Sequence, residues 1–252
     1  FFKGTVNEKT ALRGVDLKLE TGDFATVIGG NGAGKSTLLN SIAGVFPVDE
    51  GQIIIDDHDV TKMPEYKRAA FIGRVFQDPM LGTAGNMQIE ENLLLALRRG
   101  KRMGLKWAFV PEERKFFKER LSLLGLGLED RLTARMGLLS GGQRQSITLL
   151  MATMLKPELL LLDEHTAALD PKTAEKVLTL TDQLVKEHNL TTLMITHNMR
   201  DALRFGNRLI MMDNGKIIYD VKGDEKKNLT VQDLLERFQV GESGLSDRMM
   251  LG

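Results

Sequence analysis

Three short groups of residues in this chain have the types and spacing to act on a phosphate. The first lies in VIGGNGAGKSTLLN, Val27 to Asn40, where Gly29 is followed by four residues and then Gly34, Lys35 and Ser36. A glycine-rich turn lets successive backbone N–H groups face an anion, because no Cβ obstructs them and positive φ is cheap. Lys35 adds a cation, and Ser36 offers a hydroxyl to a divalent metal. The second group is Ser140-Gly141-Gly142-Gln143. A helix cap alone accounts for Ser140 but not for two glycines that ordinary helices avoid, so hydroxyl, pliant backbone and helix dipole together read as another anion site. The third is Asp163-Glu164, two carboxylates ending the apolar run Leu159 to Leu162. Carboxylates there are costly unless they hold a cation, do chemistry or run out into solvent. Asp163 suits a Mg²⁺ shell, and Glu164 can polarise an attacking water. His197 sits at the exit of another strand, Thr191 to Thr196; a lone histidine is usually structural, yet this position borders the ligand crevice of an α/β sheet.

These residues need elements to hold them. Phe24 to Ile28 reads as a buried strand, and the helix after the glycine turn carries Leu38, Leu39, Ile42 and Ala43 on one side, ending near Gly44 and Pro47. Ahead of it, Ala11 to Leu19 alternates apolar and polar residues (Leu12, Val15, Leu17, Leu19), the pattern of a half-buried strand, and Thr21-Gly22-Asp23 turns into the next strand. Gln52 to Ile55 and Phe71 to Phe76 read as further strands. From Asp78 the character becomes helical, with helices expected over Glu90 to Arg99 and Pro111 to Leu124. Ile147, Leu150, Met151, Met154 and Leu155 mark one face of the helix after Ser140. Asp170-Pro171 caps a helix with Ala174, Val177, Leu178, Thr181, Leu184 and Val185 facing inward, and stops at Asn189. Asp213-Asn214-Gly215 between two strands is a hairpin signal, and Thr230 to Phe238 reads as a terminal helix. The stretch with Lys101, Arg102 and Lys106 beside Trp107 reads as a solvated basic loop, or as a contact with a partner or lipid headgroups.

Composition narrows the class. The chain has 252 residues, 34 Lys and Arg balance 34 Asp and Glu, and no cysteine is present. A field suited to nucleic acid is therefore not expected, and disulfides and thiolate metal sites are excluded. No uncharged apolar run reaches about 18 residues and no signal-peptide pattern opens the chain, so it is expected neither to span a membrane nor to be exported by itself. It opens at Phe1, in what reads as the end of a strand, so a few preceding residues are expected. The 13 methionines are scattered and read as core packing.

The ordered set GGNGAGKS, VFQDP, LSGGQRQ, LLLLDE, AALD and ITHN resembles the nucleotide-binding subunit of an ATP-binding-cassette (ABC) transporter over essentially the whole chain. The resemblance implies an α/β fold: a P-loop NTPase (RecA-like) core, an antiparallel β subdomain and an inserted α-helical subdomain carrying the LSGGQ signature. It implies one ATPase domain over residues 1–240, with 78–139 as the helical insert and 241–252 as a flexible tail. Carried over residue by residue, Gly29, Asn31, Gly32, Ala33, Gly34, Lys35, Ser36 and Thr37 hold ATP phosphates, and Ser36, Gln77 and Asp163 serve Mg²⁺. Glu164 is the general base, His197 contacts the γ-phosphate, Gln77 senses the metal and the water, and Lys35 neutralises charge. Ser140, Gly141, Gly142 and Gln143 bind the nucleotide of a second copy, and Asp170 belongs to the loop that crosses the dimer. Phe1 or Phe2 stands where an aromatic stacks on adenine.

The implied partners are a second copy arranged head to tail, integral membrane permease subunits and, indirectly, an extracytoplasmic solute-binding protein. The implied place is the cytoplasmic face of the cell membrane. His165 departs from the family, which usually has Pro there, and reads as a cap for the following turn. DEHTAALDPKTAEKVL and GNRLIMMDNGKIIYDV resemble a narrower group of importer ATPases assigned in part to tryptophan or tyrosine uptake. LTARMGL before the signature lacks the acidic-Arg-Gly run of fused exporters, and neither a fused membrane segment nor a regulatory extension past about Phe238 is read, so a separate importer ATPase is expected. Lipid or lipoprotein extraction and a cluster-assembly type of ABC ATPase are the alternatives.

Overall fold

The computed structural model describes residues 10–100 and 110–240. Phe1, Phe2, the basic stretch from Lys101 to Trp107 and the 241–252 tail lie outside the described residues. The chain divides into two compact units, one made of residues 1–62 and 189–252 and the other of residues 63–188.

The first unit begins with an extended segment, the turn at Gly22 and strand β1, Phe24–Gly29, buried along its whole length. Helix α1, Lys35–Ala43, follows the glycine turn and stops at Gly44, whose φ of 86° ends the helix in the left-handed conformation. Two short antiparallel strands come next, β2 (Ile54–Ile55) and β3 (His58–Asp59). The strand expected over Ala11 to Leu19 is not formed. Side-chain burial still alternates there, with Leu12, Val15, Leu17 and Leu19 half-buried. Gly14, at φ 78°, breaks the pleat, and the Lys18 carbonyl accepts from the Arg208 guanidinium instead of a ladder N–H. The Gln52 to Ile55 strand shortens to its last two residues.

The second unit opens with α2 (Glu65–Arg68) and β4 (Ile72–Val75), then α3 (Ile89–Leu97) and α4 (Pro111–Ser122). Glu90, almost fully buried, accepts two 2.8 Å bonds from Arg114 and so ties α3 to α4. Helix α5, Gly141–Thr153, is buried nearly all round. Ile147 and Leu150 join Ile89, Leu93, Phe117 and Leu121 in one apolar cluster with Met136. Strand β5, Leu159–Asp163, runs parallel to β4 in the register Val75 to Leu162. Helix α6, Pro171–His188, ends the unit, with Val177, Leu178, Thr181, Leu184 and Val185 buried.

The chain then completes the first unit with β6 (Thr192–Ile195), α7 (Met199–Arg204), β7 (Arg208–Asp213), β8 (Lys216–Lys222), α8 (Asp224–Lys227) and α9 (Val231–Val240). Strand β1 lies between β6 and β7 and is parallel to both, and β8 pairs antiparallel with β7. Asn214 and Gly215 both take positive φ, 46° and 76°, as a two-residue hairpin turn requires. Lys226 is buried, donates to the carbonyls of Phe205 and Gly206, and is pushed by burial down to about 8.

Asp23 fastens the root of this sheet. Its carboxylate meets Lys222 Nζ at 2.7 Å and Arg208 at 3.5 Å, and it accepts from the Asn207 amide at 3.1 Å and the Glu20 N–H at 3.0 Å. Burial alone would raise its pKa, but Lys222, Glu20 and Asn207 outweigh that and hold it below the ordinary 3.8. A depressed carboxyl stabilises the fold above its unfolded pKa and ceases to do so as pH falls through its folded value. Asp23→Asn should therefore be less stable than wild type at pH 7, and the gap in urea midpoint should close as pH falls below about 4. A gap that stays constant from pH 7 to pH 3 would contradict this role.

Candidate functional site

The glycine turn is held from several sides. Gly34 adopts φ 99°, and a Cβ there would stand 2.8 Å from the Ala11 carbonyl; one on Gly29 would stand 2.3 Å from that of Met212. Ala33 N–H donates to Gly30 O, and Ala33 O accepts from Gly215 N–H at 3.0 Å, so the tip of the β7–β8 hairpin braces the loop. Lys35 is buried, and its ammonium donates to Gly29 O at 2.8 Å and Gly30 O at 3.1 Å. These two loop carbonyls turn inward onto the cation. Asn31, Gly32 and Ser36 are exposed at the mouth, where Gly32 has φ 81° and no atom within 4 Å of a hypothetical Cβ. The loop thus combines a fixed positive charge, an open rim and the start of α1, which is the arrangement for a phosphate.

His197 leaves β6 beside the phosphate loop leaving β1, because the two parallel strands are in register at Val27 and Ile195. Its side chain is exposed. Thr196 Oγ1 accepts from Asn198 N–H, and Asn198 Oδ1 caps α7 by accepting from Arg200 and Asp201 N–H, so hydrogen-bonded residues flank the histidine on both sides.

In the second unit the same logic places Gln77 and Glu164 at the ends of neighbouring parallel strands, β4 and β5. Gln77 is exposed, and the carbonyl before it, Phe76 O, accepts from the fully buried Gln145 amide at 3.1 Å. Asp163 is half-buried, with Arg74 Nη2 at 3.7 Å. Arg74 also lies over the Phe76 ring, 4.5 Å from its centroid. Burial pushes the Arg74 guanidinium down while Asp163 opposes that shift, so the pair is a charged one in a partly dry place. Glu164 follows in the left-handed region, φ 46°, where a residue with a Cβ is held only by its surroundings. His165 is buried and bonds Thr181 at 3.0 Å, so it anchors to α6 and does not cap the next turn.

Ser140 caps α5 by accepting from Gln143 N–H, and the Gln143 side chain accepts from Ser140 N–H, a capping box. The two glycines have distinct roles. Gly141 is exposed, whereas a Cβ on Gly142 would stand 2.1 Å from the Thr173 methyl. The start of α5 is therefore packed against the first turn of α6, where Asp170 Oδ1 caps Thr173 N–H at 3.1 Å. Arg74, Gln145 and Thr173 were not singled out in the sequence, and Thr181 was read only as an inward-facing residue of its helix. Arg74 had a signal, a charge inside the apolar run FIGRVF; the others depend on which helix lies alongside.

Magnesium can be tested against the donors present. The Ser36 hydroxyl, Gln77 amide and Asp163 carboxylate all offer oxygen, as Mg²⁺ requires. Among the described residues no cluster of three or more His, Cys, Asp or Glu could hold a metal by itself, so phosphates and water would have to complete the shell.

Comparison with known proteins agrees with this geometry. Residues 12–167 match the family described as ABC transporter. The chain is 47% identical over 230 residues to a tyrosine transport ATP-binding protein of Clostridioides difficile (strain R20291), covering 91% of each. It is 37% identical to a methionine import ATP-binding protein of Enterococcus faecalis (strain ATCC 700802 / V583), spanning 88% of this chain but 62% of that longer one. Among solved structures it resembles a dimeric ATP-binding cassette in a post-hydrolysis state bound to ADP and Pi, with 32% identity, a TM-score of 0.71 and coverage of 84% of this chain and 90% of that one. A nucleotide-free cassette from an ABC transporter matches with 29% identity and a TM-score of 0.73, over 96% and 93% of the two chains. The α/β fold with a parallel sheet core and antiparallel strands is that of these cassettes. The chain belongs to the ABC transporter family, as one of its ATP-binding, ATP-hydrolysing subunits.

Proposed function

We propose that the protein powers a membrane importer of amino acids, aromatic ones foremost, by ATP-driven closure of a head-to-tail dimer. The observation that carries this reading is the 47% identity to a tyrosine transport ATP-binding protein across 91% of both chains. Residues 1–240 act as one ATPase domain with 78–139 as its helical part. The chain sits at the cytoplasmic face of the membrane, bound to permease subunits and, through them, serving an extracytoplasmic binding protein. Among the described residues no helix is long and apolar enough to cross a membrane. Met80 and Leu81, soon after Gln77 in the chain, are 54% and 71% exposed, and Leu95 on α3 is 48% exposed, apolar side chains that a permease's cytoplasmic helix could cover.

In the mechanism, Gly29 and Asn31 to Thr37 cradle the phosphates, and Lys35 places its ammonium on the β and γ oxygens. Ser140 to Gln143 of a second copy, with Asp170 beside them, closes over the same ATP. Ser36, Gln77 and Asp163 hold Mg²⁺, which when bound neutralises charge on the phosphate oxygens. Glu164 takes the proton from a water placed in line with the γ-phosphate, Gln77 orients that water, and His197 donates to the γ-phosphate. Closure engages both jaws, and losing the γ-phosphate contacts releases them, so ATP shifts a population between open and closed dimers.

Purification from membranes tests the reading. A detergent-dependent complex with a multi-helix membrane protein, whose ATP hydrolysis rises with tyrosine or tryptophan and a binding protein, is the expected result. A purely soluble complex would sink it.

A further inference from the structure

Glu164 holds a backbone conformation that side chains avoid, φ 46°, at the one residue whose carboxylate must be aimed most accurately. The residue after it turns away from the site. His165 is 2% exposed, and its Nε2 lies 3.0 Å from Thr181 Oγ1, 16 residues along the chain in the middle of α6. The direction of this bond follows from its neighbours. Thr181 has one hydroxyl proton, which it donates to Val177 O at 2.8 Å within α6. Toward His165 it can only accept, so Nε2 carries the hydrogen. The ring is buried, and Nε2–H is the form that makes the bond. Between the two anchors the chain folds into a tight turn, Ala167 N–H to Glu164 O at 2.9 Å and Leu169 N–H to Thr166 O at 3.1 Å. A fixed acceptor on the buried face of a long helix thus ties down the residue next to the strained backbone.

We infer that the His165–Thr181 hydrogen bond is a latch that holds Glu164 in its left-handed turn, making both of them positioning residues for hydrolysis. The inference rests on Glu164 being the general base, as proposed above. It concerns orientation only: neither side chain touches nucleotide, so ATP affinity should be indifferent to it while the chemical step should not.

Steady-state hydrolysis by the full chain tests this. Thr181→Val keeps the shape but removes the acceptor and, assayed well below its melting midpoint, should lower kcat by about tenfold, within the roughly 10²-fold that a misplaced group can lose, with KM for ATP unchanged; the unpaired, buried His165 N–H should lower the melting midpoint as well. Thr181→Ser, which restores the hydroxyl, should recover most of the rate. Added to Glu164→Gln, the Val substitution should change the residual rate by less than about twofold, since the group being aimed is gone. The latch is overturned if Thr181→Val keeps wild-type kcat, if Val and Ser variants lose rate alike, or if the loss follows weaker ATP binding or partial unfolding at the assay temperature. Near-normal hydrolysis by Glu164→Gln would instead remove the base assignment, and the latch with it. A readout independent of any variant is the ring proton: ¹⁵N shifts of His165 in the wild-type protein should show a protonated Nε2, and a bare Nε2 would break the bond on which the latch depends.

Discussion

Replacing Glu164 by Gln should lower ATP hydrolysis by at least about 10²-fold, the range for loss of a positioned general base, while ATP binding should survive and a closed dimer should accumulate. The expectation follows from where the structure puts the carboxylate. Leu160, Leu161 and Leu162 of β5 are fully buried, so the strand is a rigid stem. Asp163 lies by Arg74, and Glu164 is the next carboxylate, half-buried just past the end of β5, which runs parallel to β4 and so brings Glu164 to the same sheet end as the exposed Gln77. Gln keeps the size and one accepting oxygen, but its amide cannot take a proton at these pH values, so binding and chemistry should separate. Radiolabelled ATP retention measured beside phosphate release would show it; unimpaired release would move the base elsewhere.

Gly29→Ala is the second large effect. The added methyl would stand 2.3 Å from the Met212 carbonyl and 3.1 Å from Ala33 Cβ. Met212 is the β7 residue paired with Gly29 itself, so the carbonyl cannot retreat without opening the β1–β7 ladder. Overpacking of this kind costs about 1 to 3 kcal/mol, and the displaced loop should weaken ATP binding by more than about tenfold, the equivalent of 1.4 kcal/mol. Gly30→Ala is the matched control, since a Cβ there meets nothing within 4 Å. Thermal melts should separate the two variants; equal melting would mean that the packing at Gly29 does not set the loop.

What the sequence revealed follows the range of the forces involved. The phosphate loop and the Asn214-Gly215 turn were legible because their demands are local: positive φ at Gly32, Gly34 and Gly215 is written into the residue type. Helices α3, α4, α5 and α6 were legible from caps and periodic apolar faces. The four- to six-residue helices α2, α7 and α8 carry too few turns for a period to show. Ala11 to Leu19 failed as a strand because alternation reports which side faces inward and says nothing about a hydrogen-bonding neighbour. At the candidate site, the phosphate-loop and strand-end residues could be read from the sequence, but their supports could not. Arg74 reaches Asp163 only through the register of β4 on β5, His165 reaches Thr181 across 16 residues, and Gly142 is small because Thr173 occupies the place of its Cβ. Such pairings exist only once the chain is folded.

The central claim is that the phosphate loop is half of a site and Ser140 to Gln143 of a second copy is the other half. It is tested most directly by mixing two defective chains, one with Ser140→Arg and one with Lys35→Ala, each also carrying Glu164→Gln so that bound ATP is retained. Head-to-tail pairing gives the mixed dimer one intact site, made from the loop of the first chain and the signature of the second. The mixture should hold about one ATP per mixed dimer, and either chain alone little. ATP retention in the mixture no greater than the sum of the separate chains would contradict it.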